Sequence, residues 1–202
     1  MAYRIKEIFY SLQGEGTNTG RPAVFVRFSG CNLSCPFCDT DFRGTDGPGG
    51  GEYENALDIV RTMRTCLGPA DYGDMIRFAV MTGGEPALQA DAELIRELHG
   101  DHWEIAIETN GTLPVPDGID WVTVSPKAGS DLVVTRGNEL KLLYPQAGLD
   151  PATFEHLDFA YFIIQPVDEA SGSENLRNAI DYCLAHPLWR LGIQLHKFIG
   201  IK

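Results

Sequence analysis

The sequence predicts an α/β fold in which an open, mostly parallel sheet curls into part of a barrel. Three observations predict it. Apolar, β-branched runs recur along the whole chain. Stretches with helical spacing separate several of them. The chain has 202 residues, short of the ~250 that a closed eight-fold barrel typically takes. Strands alternating with helices form βαβ units and a parallel sheet, and right-handed crossovers curl that sheet. About six strands suit this length, a partial (β/α)6-type TIM-like barrel. One domain over residues 1–202 is expected.

Taken in order, strands are predicted at Ala23–Phe28, Met75–Met81, Trp103–Glu108, Trp121–Val124, Glu139–Tyr144, Tyr161–Gln165 and Gly192–Leu195, each a short run of apolar and β-branched residues bounded by turn formers. Leu57, Val60, Met63, Arg64 and Leu67 form one amphipathic helical face. Leu88, Leu94, Ile95 and Leu98 form a second, and Leu176, Ile180 and Leu184 a third, opened by Ser173 or Glu174. Gly44 to Gly51 reads as a flexible loop inside this series, since strand and helix patterns continue on both sides. In such a sheet, ligands gather at the carboxyl ends of the strands.

Composition narrows the class. With 28 acidic and 16 basic residues the formal charge is −12, and no basic run stands out, so a nucleic-acid partner is not expected. The N-terminal stretch lacks the apolar core and small-residue cleavage site of a signal peptide. No apolar run approaches the ~20 residues that span a bilayer. A cytoplasmic protein without membrane contact is expected, whose five cysteines serve as free thiols or metal ligands rather than disulfides. Cys66 and Cys183 sit in helical stretches and read as core thiols.

The chemistry concentrates in Cys31-Asn-Leu-Ser-Cys35-Pro-Phe-Cys38, a Cx3Cx2C loop directly after a strand. Thiolates this close can converge on one metal centre. Zinc normally takes four ligands. Three cysteines without a nearby fourth suit a four-iron, four-sulfur cluster with one iron open to a small molecule. The alternative is a zinc site completed by His99, His102 or another distant ligand. Phe37, before the last cysteine, is placed to pack over a flat base. One βαβ unit later comes Thr82-Gly83-Gly84-Glu85-Pro86. Two glycines allow close backbone approach to a ligand, and Pro86 keeps Glu85 out of helical geometry and opens the next helix.

The cysteine loop followed by GGEP resembles the radical S-adenosylmethionine superfamily. That resemblance implies that the open iron binds the amino and carboxylate groups of the methionyl part. Reductive cleavage then yields a 5′-deoxyadenosyl radical that abstracts hydrogen from the substrate. A narrower resemblance covers nearly the whole chain: EIFYSLQGEGTNTGRPAVFVRFSGCNLSCPFCDT, VSPKAG, NELKLLY, IIQPVD and QLHKFIGIK are similar to the 7-carboxy-7-deazaguanine synthase family. It implies contraction of 6-carboxy-5,6,7,8-tetrahydropterin to 7-carboxy-7-deazaguanine with loss of ammonia, for queuosine and other deazapurines. It also implies a magnesium requirement, a homodimer, and an electron donor such as flavodoxin or ferredoxin.

Residue by residue, the resemblance assigns Leu12, Gln13, Gly14, Glu15, Arg27, Thr82, Glu108, His196 and Lys202 to the substrate. Gln13 and Glu15 offer an amide and a carboxylate to a guanine-like edge. Arg27, Ser29 and Cys31 share one face of extended chain, and a guanidinium suits the substrate carboxylate. Thr40 is implied to be the one protein ligand of the magnesium ion, which bridges to that carboxylate. Phe37, Cys38, Asp39, Gly84, Ser125, Pro126, Lys127, Gln165, Pro166, Val167 and Asp168 are implied to hold S-adenosylmethionine. His196 is expected in the last strand region. The α-carboxylate of Lys202 is expected to reach substrate whatever its side chain. The competing readings are an activase of a glycyl-radical enzyme and a non-catalytic zinc-binding module.

Overall fold

The computed structural model describes residues 2–71, 76–169 and 172–202. The chain begins with β1 (Tyr3–Leu12), β2 (Pro22–Phe28) and a short β3 (Gly51–Tyr53), followed by α1 (Ala56–Leu67) and β4 (Arg77–Gly83). Then come α2 (Ala92–Gly100), β5 (Trp103–Thr109), β6 (Trp121–Val124), β7 (Arg136–Tyr144), β8 (Asp158–Pro166), α3 (Gly172–Ala185), β9 (Trp189–Leu191) and α4 (Leu195–Ile199). One sheet holds all nine strands in the order β3-β1-β2-β4-β5-β6-β7-β8-β9. From β2 to β9 every pairing is parallel, and β1 pairs antiparallel with both β2 and β3. The sheet is open: it is a partial barrel of seven parallel strands with an antiparallel edge.

Helices α1, α2 and α3 pack on one face. Ile59, Val60 and Met63 of α1 and Leu94, Ile95 and Leu98 of α2 join Val24, Val26, Met81, Ile105 and Ile107 in one core. Each such side chain contributes roughly 1.5–3 kcal/mol by leaving water. Asn55 caps α1 by accepting from Asp58 N at 3.0 Å, and Asp91 caps α2 by accepting from Leu94 N at 3.0 Å. A second core gathers β7, β8, β9 and α3 around Leu140, Leu142, Phe162 and Trp189. Strand alternation sends the intervening side chains to the concave face. Among the described residues no helix is long and apolar enough to cross a membrane.

Several expectations need correction. The edge strands β1 and β3 were not legible. In β1 a register shift between Ile5 and Glu7 buries both Lys6 and Glu7, breaking the apolar alternation that marks a strand. The strand read at Met75–Met81 runs over Arg77–Gly83, and Met75 lies outside the described residues. The last strand is Trp189–Leu191 rather than Gly192–Leu195, and the segment holding His196 is the helix α4. Leu57 is exposed on α1. Leu88 belongs to a separate 3-10 turn at Pro86–Leu88 and is also exposed. On α3 the face is rotated. Leu176, Ile180 and Leu184 are exposed, while Asn175 and Ala179 are buried. Asn175 sets that rotation by donating to Val167 O and Glu169 Oε1, each at 3.0 Å.

Candidate active site

The concave face carries a cavity of about 540 Å³ at the carboxyl ends of the parallel strands. Inward positions form its floor. Register places Arg27 beside Thr82, Glu108 beside Thr123, Thr123 beside Glu139, and Leu143 beside Gln165. The cysteine loop walls one side, with Cys31, Cys35, Cys38, Phe37, Asp39 and Thr40 all lining the space. Every residue expected at the site reaches the cavity except Pro126 and Pro166. Pro126 instead turns its carbonyl toward Gln146 Nε2 at 3.4 Å, and Pro166 ends β8.

The cysteine loop is set by its neighbour. Gly84 N donates to Phe28 O at 3.1 Å and Glu85 N donates to Gly30 O at 2.9 Å, so the GGEP turn clamps the backbone leading into Cys31. Glu85 has the extended backbone expected before a proline, and it is fully buried. Its carboxylate accepts from Thr109 Oγ1 at 2.6 Å, Asn110 N at 2.7 Å and Ala87 N at 3.0 Å. It therefore ties the turn after β4 to the end of β5, and it does not line the cavity. Asn110 Nδ2 donates in turn to Asn32 Oδ1 at 3.0 Å, bracing the cysteine loop from the other side.

All five cysteines are free thiols. Among the described residues, no three His, Cys, Asp or Glu side chains already converge as a single-ion site. His99 pairs with Asp120 at 3.1 Å, and neither His99 nor His102 lines the cavity, so neither completes a zinc centre there. Burial pushes the Cys35 thiol up, opposed by the nearby Lys127 ammonium. Lys127 is itself lowered to about 8, chiefly by burial. It donates to Ser125 O at 2.7 Å and Ser125 Oγ at 2.6 Å. Across the cavity, Gln165 Oε1 is buried without a hydrogen-bond partner, an acceptor left for a bound group.

Charged side chains order the far wall. Arg27 Nε donates to Glu7 Oε1 at 3.0 Å. Glu7 also receives the Lys202 ammonium, which lies 4.7 Å from the centre of the Phe9 ring. Burial pushes the Glu7 carboxyl up, but Lys202 and Arg27 together hold it below its ordinary value. Ser11 Oγ donates to Lys202 O at 2.6 Å, so the chain end is seated at the cavity rim. Lys197 joins Asp39 at 2.5 Å to Asp168 at 2.6 Å, linking two loops. His196 packs so tightly on Gly14 that a Cβ there would stand 2.2 Å from His196 Nδ1. Gly14 O accepts from Leu195 N at 2.8 Å.

Sequence reasoning missed Glu7, Asn110, Thr123, Lys141, Gln194 and Lys197, all on the cavity wall. For Lys141 a signal existed. Charged Glu139 and Lys141 alternate with apolar Leu140 and Leu142 in a strand that otherwise reads as buried.

A parallel partial barrel with three thiols after its first parallel strand, facing a polar cavity, is the arrangement of radical S-adenosylmethionine enzymes. The model of the Radical SAM superfamily matches residues 25–141. The chain is 53% identical to the 7-carboxy-7-deazaguanine synthase of Nitratidesulfovibrio vulgaris and 51% identical to that of Bradyrhizobium diazoefficiens, in both cases over the whole of both chains. The crystal structure of QueE from Escherichia coli superposes with a TM-score of 0.69 at 29% identity, covering 97% of this chain and 95% of that one. The chain belongs to the 7-carboxy-7-deazaguanine synthase family of radical S-adenosylmethionine enzymes. An iron–sulfur cluster and S-adenosylmethionine are its cofactors. Membership sets aside the zinc-binding module and the glycyl-radical activase.

Proposed function

We propose that the chain, as one catalytic unit, converts 6-carboxy-5,6,7,8-tetrahydropterin to 7-carboxy-7-deazaguanine with loss of ammonia, in the cytoplasm and in service of queuosine or related deazapurines. Full-length identity to relatives of that name carries the reading. The cavity supports it by bringing the three thiols, a carboxylate-binding flank and an acceptor-rich flank into one space.

The cluster would be held by Cys31, Cys35 and Cys38; with S-adenosylmethionine bound it supplies the electron and the radical that begin the reaction. S-adenosylmethionine would lie against Phe37, Cys38, Asp39, Gly84, Ser125, Lys127, Gln165, Val167 and Asp168. The unpartnered Gln165 Oε1 and the buried Lys127 are the features that fit a polar cofactor. Arg27 would take the substrate carboxylate. Glu7 holds its Nε, which would leave the remaining guanidinium N–H groups for a bidentate contact. Thr40, a hard oxygen donor for a hard cation, would hold a magnesium ion whose charge would offset the substrate carboxylate. Gln13, Glu15 and Glu108 would face the guanine-like edge, with Leu12, Gly14, Thr82, His196 and the chain end at Lys202 completing the pocket. Held from both ends, the substrate presents the carbon bearing its carboxylate to the thiol side. A homodimer and reduction by a flavodoxin or ferredoxin complete the proposal.

Anaerobically reconstituted protein, given the carboxypterin, S-adenosylmethionine, magnesium and a reductant, should form the deazaguanine acid. Cleavage of S-adenosylmethionine without that product would move the chain to another radical reaction.

A further inference from the structure

Deep in the cavity, four residues close a ring. Gln13 Nε2 donates to Glu108 Oε1 at 2.8 Å. Lys141 Nζ lies 3.3 Å from Glu108 Oε2 and 2.5 Å from Glu15 Oε2. Glu15 N donates to Gln13 Oε1 at 3.0 Å, which completes the circuit. Gln194 Nε2 adds a bond to Glu15 Oε1 at 2.8 Å. The Lys141 side chain is only 6% exposed.

We propose that Lys141 is a positioning residue for substrate, holding Glu15 and Glu108 in place as two acceptors for the amino-pyrimidinone edge of the bicycle. The inference rests on the carboxypterin reading and names which groups recognise that edge. Each carboxylate oxygen has about two acceptor sites; the ring occupies one on three of the four oxygens, and Gln194 occupies one on the fourth. The remaining sites serve a donor-rich edge. Glu139, on the same strand, brings a third carboxylate, itself buried, close to Lys141. Three carboxylates against one ammonium leave the pocket net negative, which favours N–H donors over acceptors. Without Lys141, Glu15 loses the counter-charge that holds its carboxyl down against burial, so it takes up a proton and becomes a donor itself. The pocket then meets a substrate N–H group with an O–H group. Lys141 also fixes geometry: it is the single link between the Glu15 loop and Glu108 on that side of the ring.

The groups facing this ring from neighbouring elements are Glu139 on β7, Lys127 after β6, Asp39 with Lys197 at the rim, and His196 on α4. None of them replaces Lys141, since Lys127 is turned onto Ser125 and Lys197 is paired with Asp39 and Asp168.

The test uses anaerobically reconstituted holoenzyme and two readouts. Steady-state kinetics give KM and kcat for the carboxypterin, and titration calorimetry gives the affinity for 7-carboxy-7-deazaguanine, which carries the same edge. Lys141→Met should raise KM and weaken product binding by about tenfold or more. Its binding should strengthen as pH rises from about 6 to about 8 while wild-type binding stays flat. Lys141→Arg should restore affinity to within about threefold of wild type. Lys141→Gln keeps a donor without the charge and supplies the comparison if the methionine variant does not fold. Equal affinity in the neutral variant and wild type would overturn the proposal, as would a fall in kcat and thermal stability with KM unchanged. Wild-type enzyme that binds neither compound would overturn the function itself.

Discussion

Gly84 stands so close to Gly30 that a Cβ on Gly84 would lie 1.9 Å from the Gly30 carbonyl oxygen. The contact joins the two segments singled out first in the sequence. The GGEP turn contributes backbone hydrogen bonds that hold the entry to the cysteine loop in place. Gly84→Ala should therefore displace Cys31, since backbone cannot yield as a flexible side chain does. Overpacking of this kind costs about 1–3 kcal/mol. Iron content after reconstitution should fall well below wild type while the circular-dichroism spectrum is kept. A full iron complement in the variant would show that the turn does not set the loop.

Glu85→Gln changes a carboxylate that accepts three bonds, two of them within 2.7 Å. An amide turns its NH2 toward one donor and leaves that donor unpaired. The loss should be about 1–3 kcal/mol of stability, read as a lowered Tm in thermal unfolding.

Arg27→Ala should raise KM for the carboxypterin by about tenfold to a hundredfold. Arg27→Lys keeps the charge but not the fork, and should recover only part of the loss. Cleavage of S-adenosylmethionine in the absence of substrate should be unaltered in both. Thr40→Ala should abolish the stimulation of turnover by added magnesium.

Protonation of Glu15 should weaken the fold in acid. Burial alone pushes this carboxyl up, but the Lys141 ammonium and donated hydrogen bonds pull it down from 4.5 to about 2. A folded-state pKa below the unfolded one gives stability that is present above about 4.5 and is lost as pH falls toward about 2. Denaturant unfolding of wild type and Glu15→Gln, compared across that range, should show a stability difference that narrows as pH falls. A constant difference would contradict the pairing.

Much of this fold was legible because period-two and period-3.6 patterns separate cleanly in the middle of the chain. Trp103–Glu108 and Trp121–Val124 were read almost as they stand. The failures share a physical cause: polar residues placed inside. Lys6 and Glu7 sit together in a bulge and hide β1. Asn175 anchors α3 by its side chain and turns the leucine stripe outward, so the helix buries a face that hydrophobicity does not reveal. The thiols, Arg27, Thr40 and Gly84, expected from motif and resemblance, all line the cavity. Lys141, Glu7 and Lys197 were missed because each works by holding another charged residue, a relation between segments distant in sequence. The Lys202 ammonium, which also holds a distant carboxylate, was not legible for the same reason.

The central claim is that one cavity joins a cluster-bearing loop to a carboxypterin pocket. It is tested most directly by turnover of the anaerobically reconstituted chain with the carboxypterin, S-adenosylmethionine, magnesium and reductant, following both nucleoside and pterin products. The protein should be brown, carry about four irons per chain, form 7-carboxy-7-deazaguanine and release ammonia, all of which should be lost in Cys35→Ala. Colourless protein containing zinc, or product formation that survives Cys35→Ala, would contradict it.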